Sequence, residues 1–181
     1  MCSSDLELVD NLAVVHKLKR LLFLSNIEHH LVHEPVRDTP LKERVALANR
    51  LPAEKKKNCI YLSVHSDAMP DGAHGKGSGF SVYTSVGHTP SDAIAEIFCA
   101  TYIRRLPEFK FRRNLADGDS DHEENFYVLK NTTCPAILVE NLFFDNRKEA
   151  EFLLSEAGQS QIAMTLFEAI VTTEKKVLGF G

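Results

Sequence analysis

The segment Ala136-Ile137-Leu138-Val139-Glu140 consists of four apolar residues followed directly by a carboxylate. A continuous apolar run of this length is typical of a strand that is buried on both faces. The segment Ile60-Tyr61-Leu62-Ser63-Val64 has a similar character and is followed directly by His65. Strands of this kind, separated by helical segments, indicate a mostly parallel central sheet with helices on both faces. We therefore predict an α/β fold.

The remaining elements follow from hydrophobic periodicity and from capping residues around these two runs. Residues 107–125 are charged and lack sustained periodicity, which predicts a long functional loop. Capping patterns are expected where Thr89 precedes Asp92 and where Asn146 precedes Glu149. The sequence predicts helices over residues 6–24, 39–52, 89–104, 146–154 and 156–173, and strands over residues 29–32, 59–64, 80–83, 126–129 and 136–139.

Length and composition limit the classes of protein to be considered. The chain has 181 residues, of which 44% are hydrophobic, and this is enough for one compact domain. Its formal net charge of -4 gives no broad electrostatic case for a nucleic-acid partner. No apolar stretch reaches the length of a membrane span, and no signal peptide is visible. The four cysteines form no CxxC pair, so we expect buried free thiols.

Two polar residues follow the buried runs and are candidates for a functional site. In open parallel sheets, ligands bind at the carboxyl ends of the strands, where His65 and Glu140 are expected to emerge on the same edge. The alternative is that each is an ordinary strand-end residue that hydrogen-bonds a loop. Glu7 adds a third candidate, because on a helical wheel it falls within the apolar stripe of the first helix. By position alone, Glu7 is equally consistent with stabilisation by the positive end of the helix.

Several segments resemble the zinc-dependent N-acetylmuramoyl-L-alanine amidases, which hydrolyse bacterial cell wall. The resemblance runs in order from Glu7 to about Val171, so it covers almost the whole chain. Single strings of this kind are weak evidence, whereas six in the correct order are strong. The matching segments are Glu7 with Asn11-Leu12-Ala13, residues 41–49, Tyr61 to Ala68, Gly79 to Tyr83, Cys134 to Asn141, and Asn146 to Leu153.

The resemblance implies a mechanism and a role for each candidate. Glu7 and His65 would be ligands of a Zn²⁺ ion, and Glu140 would be the general base. The substrate would be peptidoglycan or a muropeptide, cleaved between N-acetylmuramic acid and the L-alanine of the stem peptide. A bound Zn²⁺ polarises a carbonyl and acidifies a water, which suits this reaction. The action would be on the bacterial cell wall, in the periplasm, outside the cell or after delivery by a phage.

The chain departs from the family at its start. A His on a glycine-rich turn after the family's first strand is the remaining zinc ligand, and only six residues precede Glu7 here. We expect a single catalytic domain over residues 1–181, shortened at its N-terminus relative to the family. Two alternatives stay open. Another His, with His33 the best placed, replaces the lost ligand, or the protein is a non-catalytic relative that binds wall fragments.

The long loop supplies the candidates for substrate binding. Arg113 and Asn125 are plausible partners for the carboxylates and amides of the stem peptide, since Arg pairs with a carboxylate through two parallel hydrogen bonds. A zinc peptidase of the carboxypeptidase kind remains a weaker alternative, which the identity of the cleaved bond would exclude.

Overall fold

A computed structural model describes residues 3–33, 38–56, 58–70, 73, 75–115 and 118–179, with side chains from residue 11 onward. These residues form a single α/β domain. The helices are α1 (Ser3–Leu24), α2 (Leu41–Ala48), α3 (Ala53–Lys56), α4 (Pro90–Arg105), α5 (Tyr127–Asn131), α6 (Arg147–Leu153) and α7 (Glu156–Lys176), and the strands are β1 (Tyr61–Asp67), β2 (Ser81–Thr84), β3 (His122–Glu123) and β4 (Ala136–Phe143).

The four strands form one mixed sheet in the order β1-β4-β2-β3. β1 pairs with β4 in parallel, and β2 pairs with β3 in parallel, whereas β2 and β4 are antiparallel. The two apolar runs singled out in the sequence are therefore neighbours. The predicted α/β class is confirmed, with a sheet that is mixed because β2 runs against β4.

Both faces of the sheet are covered by helices, as predicted. One apolar cluster contains Ile137 and Val139 of β4 together with residues of α1, α4 and α7. A second cluster lies on the other face, where Ala136 and Leu138 of β4 pack with residues of α2 and α5. Alternate residues of one strand thus face opposite clusters, which explains why β4 is apolar along most of its length. None of the helices in the described chain combines the length and apolarity needed to cross a bilayer.

The predicted helix caps are present. The Thr89 side chain accepts a hydrogen bond from the Ser91 backbone, and Asp92 completes a capping box at the start of α4. The Asn146 side chain accepts from the Glu149 backbone at the start of α6. The cysteines behave as expected where they are described: Cys99 and Cys134 are buried free thiols and Cys59 is half-buried. Burial, together with the neighbouring Cys59, raises the pKa of Cys134 to about 12.

The strand predicted over residues 126–129 is wrong, because this segment begins α5 (Tyr127–Asn131). Val128 and Leu129 are buried against Val45 and Ala48 of α2. The Thr132 hydroxyl donates to the Val128 carbonyl and closes the last turn. A four-residue apolar run does not by itself distinguish a strand from a helical turn, and packing against α2 decides it here.

The strand predicted over residues 29–32 is also wrong. Within the described part of the chain, no backbone hydrogen bond joins residues 28–33 to a strand, and a strand requires a paired neighbour. β1 is the edge strand on this side of the sheet. A cavity of about 590 Å³ is lined by residues 26–31 and by Ile60, Leu62 and Val64 in and beside β1. The two segments therefore border a common apolar cavity.

Glu149 connects α6 to the sheet. Its residue is buried, and its carboxylate accepts hydrogen bonds from the backbone N–H groups of Gly79, at 3.0 and 3.2 Å, and of Phe143, at 2.8 Å. Gly79 has a φ of 98°, and a Cβ atom there would lie 2.2 Å from the Lys110 carbonyl oxygen. One carboxylate thus holds the end of β4 and the entry to β2.

We expect Glu149→Ala to lower the free energy of unfolding by about 2–4 kcal/mol, because two buried N–H donors lose a charged acceptor. Urea unfolding followed by circular dichroism measures the change. Glu151→Ala in the same helix is the control, since Glu151 is exposed and pairs only with Arg147 among the described residues. A loss at Glu149 no larger than at Glu151 would contradict this role.

Candidate functional site

His65 and Glu140 lie side by side at the carboxyl ends of β1 and β4. They are direct partners in the parallel register of these strands. Residues that are register partners project from the same face of a sheet. Both residues are half-buried, and the Oε2 atom of Glu140 is itself shielded from solvent. The predicted meeting of these two residues at one sheet edge is confirmed.

Hydrogen bonds from neighbouring residues hold the His65 position. The His65 ring Nε2 is 2.9 Å from the Ser63 hydroxyl, two residues earlier on the same face of β1. The Asn141 side-chain amide donates to the His65 carbonyl at 3.0 Å, and the Tyr102 hydroxyl donates to the Asn141 side-chain oxygen at 2.7 Å. Tyr102 and Asn141 are both buried. The strand end that carries His65 is thus anchored to α4 through the residue that follows Glu140.

The backbone of β4 departs from regular strand geometry at Leu142, two residues after Glu140. Leu142 has a φ of 64°, a left-handed conformation that an L-residue with a branched side chain adopts only where the surroundings enforce it. The register of β1 with β4 shifts between His65 and Asp67. The kinked strand still buries Leu142 completely. This local irregularity ends the regular pairing at the two candidate residues.

Glu7 lies in α1, and its side chain is outside the described residues. Asn11 occupies the position four residues later, one turn along the helix. The Ser66 hydroxyl donates to the Asn11 side-chain oxygen at 3.2 Å, so α1 meets β1 next to His65. Asn11 therefore faces β1, and the inward orientation of Glu7 stays a prediction.

Arg112 also belongs to this region, although no sequence motif marks it as a site residue. Its guanidinium donates to the Asp67 carboxylate at 2.7 Å and to the Ser81 hydroxyl at 2.6 Å, and it lies 4.6 Å from the centre of the Phe143 ring. Ser81 is the register partner of Glu140. Arg112 therefore links the ends of β1, β2 and β4 beside the candidate site.

The substrate-binding candidates Arg113 and Asn125 are both exposed on the long connection between α4 and α5. The connection is held to the sheet because the Phe80 backbone donates to Lys110 and accepts from Arg112. This extended pairing sends the side chains of successive residues to opposite sides. Residues 109–112 alternate between Phe and a basic residue, which predicts an extended segment. The alternation does not show which basic side chain contacts the strand ends.

Aromatic residues lie on the face of the sheet that carries His65 and Glu140. Tyr83 lies two residues from Ser81, and its ring is 5.0 Å from the His122 ring and 5.4 Å from the Phe126 ring, centre to centre. Burial lowers the pKa of His122, although the hydrogen bond to the Arg112 carbonyl partly opposes this shift. His122 is therefore held in its neutral form at neutral pH, as a ring that stacks on Tyr83.

Side chains that could bind a metal ion lie in two separate regions of the domain. Imidazole and carboxylate are ligand types that Zn²⁺ accepts, and His65 with its Ser63 contact has the oriented ring that metal sites use. Within the described residues, the only cluster of three or more His, Cys, Asp or Glu ligand atoms is Glu96, Asp119 and Asp121. Burial raises the pKa of Asp121 to about 7. His33, the substitute ligand considered from the sequence, belongs to no such cluster.

The mixed sheet and the strand-end pair define an α/β domain with its functional groups at the carboxyl edge of parallel strands. Residues 5–172 match the family of N-acetylmuramoyl-L-alanine amidases. The chain belongs to this family. It is 28% identical over 159 residues to the endolysin of Bacillus phage SPP1, a match that covers 84% of this chain and 52% of that protein.

Solved structures agree on the fold. The N-acetylmuramoyl-L-alanine amidase AmiC2 of Nostoc punctiforme superimposes with a TM-score of 0.78 at 22% identity, covering 94% of this chain and 85% of the other. The catalytic domain of CwlV from Bacillus (Paenibacillus) polymyxa gives a TM-score of 0.73 at 26% identity, covering 93% and 84%. The chain spans about half the length of the phage endolysin and of the Bacillus amidases that it also matches.

We expect Arg112→Ala to destabilise the fold by about 1–2 kcal/mol, because the half-buried Asp67 carboxylate loses its charged partner. Arg113→Ala is the matched control at the adjacent, exposed position, with an expected change within about 0.5 kcal/mol. Thermal unfolding of the two variants in the same buffer compares them. Equal losses would show that the contacts of Arg112 add nothing to stability.

Proposed function

We propose that residues 1–181 form one catalytic domain of a peptidoglycan hydrolase. The domain cleaves the amide bond between N-acetylmuramic acid and the L-alanine of the stem peptide, and it acts on the bacterial cell wall. The observation that carries the proposal is the register pairing of His65 with Glu140 at a sheet edge. Family membership over residues 5–172 gives this pair its chemical interpretation.

We assign a zinc ion to this edge, with Glu7 and His65 as ligands. The donor set fits Zn²⁺ in type, since His nitrogen and carboxylate oxygen are both ordinary zinc ligands. The Asn11 contact to Ser66 supports the inclusion of Glu7, because it brings the helix face of Glu7 to the end of β1. When bound, the zinc would polarise the scissile carbonyl and lower the pKa of a water molecule.

Glu140 is the proposed general base. Its position one strand away from His65 leaves the carboxylate beside the ligands, where it can accept a proton from the attacking water. The same carboxyl group then donates a proton to the amine of the departing alanine. Arg112 supports this geometry from the side, because it holds Ser81, the other register neighbour of Glu140.

The third protein ligand is the point on which the catalytic and non-catalytic alternatives differ. The cavity of about 590 Å³ beside β1 is bordered by a strand edge on one side and by residues 26–31 on the other. A strand placed there in parallel with β1 would end next to His65 and could present a His to the metal. A protein that lacks this ligand would bind wall fragments without cutting them.

Arg113 and Asn125 are the proposed contacts for the stem peptide. Both are exposed on the connection that also carries Arg112 and His122, so they are accessible to a polymer lying across the sheet edge. The guanidinium of Arg113 would pair with a carboxylate of the peptide. The aromatic residues beside them, Tyr83 and Phe126, would contact its apolar parts.

We expect Glu140→Gln to abolish release of stem peptides from purified peptidoglycan, with a loss of at least about 100-fold, because the amide cannot take up the proton. Release is measured as new N-terminal alanine, which also identifies the cleaved bond. Glu124→Gln, an exposed carboxylate on the long connection, is the control and should retain activity. Equal activity of the Glu140 variant and the control would refute the assignment.

An added N-terminal strand tests the third ligand. We expect a version extended by an apolar strand that ends in Gly-His-Gly to bind zinc at one ion per chain and to release stem peptide faster than the 181-residue chain. The same extension with Gly-Ala-Gly is the control. If the extended protein binds zinc and wall but releases no peptide, the binding alternative replaces the enzyme.

We expect Arg113→Ala to raise KM for a muropeptide by about 10-fold or more with little change in kcat, because a charge-assisted hydrogen bond to the substrate is lost. Arg20→Ala, an exposed basic residue of α1, is the control. An unchanged KM would remove Arg113 from the site.

A further inference from the structure

Three carboxylates gather at the start of β3, on elements that the proposed zinc site does not use. Glu96 comes from α4, and Asp119 and Asp121 come from the residues just before β3. One ligand atom from each lies within 4.8 Å of the other two. The Ser120 backbone also donates to Glu96, so the segment is already folded against α4.

Asp121 supplies an independent reason to expect a ligand. The residue is only 1% exposed. Its Oδ2 atom accepts a hydrogen bond from the Thr84 hydroxyl at 2.7 Å. Its Oδ1 atom is buried and has no geometric hydrogen-bond donor among the described residues, and the polar group beside the Asp121 carboxyl is the carboxyl of Asp119. A buried carboxylate oxygen in this state is costly, and a cation would satisfy it.

The chemistry of the three donors selects the kind of cation. All are carboxylate oxygens, which are hard ligands. Ca²⁺ prefers such oxygen ligands, whereas zinc sites typically use N and S donors. One ligand atom of each carboxylate lies within 4.8 Å of the other two, which is close enough for all three to reach one ion of the size of Ca²⁺. Glu96 is exposed, so water can complete the coordination shell. We propose that Glu96, Asp119 and Asp121 bind one Ca²⁺ ion that ties the segment before β3 to α4.

The proposed ion lies on the opposite face of the sheet from the His65 and Glu140 pair. Thr84, which contacts Asp121, is fully buried and shares the face of Val82 toward α4, whereas the His122 ring packs on Tyr83 on the other face. The ion would therefore be structural. It would stabilise the connection that carries Arg112 and His122, and the inference holds independently of the proposed amidase activity.

Calcium titration of the chelator-treated protein tests the site. We expect isothermal calorimetry with CaCl₂ to give one site per chain, and we expect Ca²⁺ at 100 times its Kd to raise Tm by about 5–10 °C. Asp121→Asn should lose both the heat and the Tm rise. Glu54→Gln, an exposed carboxylate of α3, should keep both.

A second variant keeps the test decisive if Asp121→Asn fails to fold. Glu96→Gln changes an exposed ligand and keeps an oxygen that can accept from the Ser120 backbone, and we expect it to weaken Ca²⁺ binding by about 10-fold or more. The proposal is overturned if the unmodified chain shows no calcium-dependent heat and no Tm shift. It is also overturned if Asp121→Asn and Glu96→Gln both keep the full response, or if Mg²⁺ at equal concentration produces the same shift as Ca²⁺.

Discussion

The parallel pairing of β1 with β4 is the constraint on which the rest of the structure depends. β4 is buried on both faces, and it is the only strand that pairs with β1 among the described residues. The apolar clusters on the two sides of the sheet each take alternate residues of β4. Because the two strands run in parallel and in this register, their carboxyl ends coincide, and His65 lies next to Glu140.

The candidate site is supported by buried polar contacts that surround this pairing. Asn141 joins the His65 backbone to Tyr102 of α4, and Glu149 joins the end of β4 to Gly79. Arg112 closes the arrangement on the side of β2. In each case several hydrogen bonds offset the free energy of desolvating a charged or polar group. Loss of one partner would therefore leave a buried polar group with its desolvation penalty. Together these contacts hold the strand ends in place.

The two edge strands of the sheet, β1 and β3, have different surroundings. At one edge, β1 borders the cavity of about 590 Å³, to whose lining Leu62 and Val64 contribute. At the other edge, β3 has only two residues and is preceded by the acidic cluster. Edge strands require protection or pairing, because their backbone groups are otherwise exposed.

The sequence by itself determined the α/β class, the two apolar strands, the helix caps at Thr89 and Asn146, and the meeting of His65 with Glu140. These features depend on local periodicity, capping chemistry and the direction of parallel strands, which are all present along the chain. Only the tertiary structure decided that residues 127–131 are helical, that residues 29–32 have no strand partner, and that Arg112 contacts Asp67 and Ser81. The same holds for the joining of Glu96 to Asp119 and Asp121. These features arise from contacts between residues that are far apart in sequence. A local sequence pattern does not show which of these contacts form.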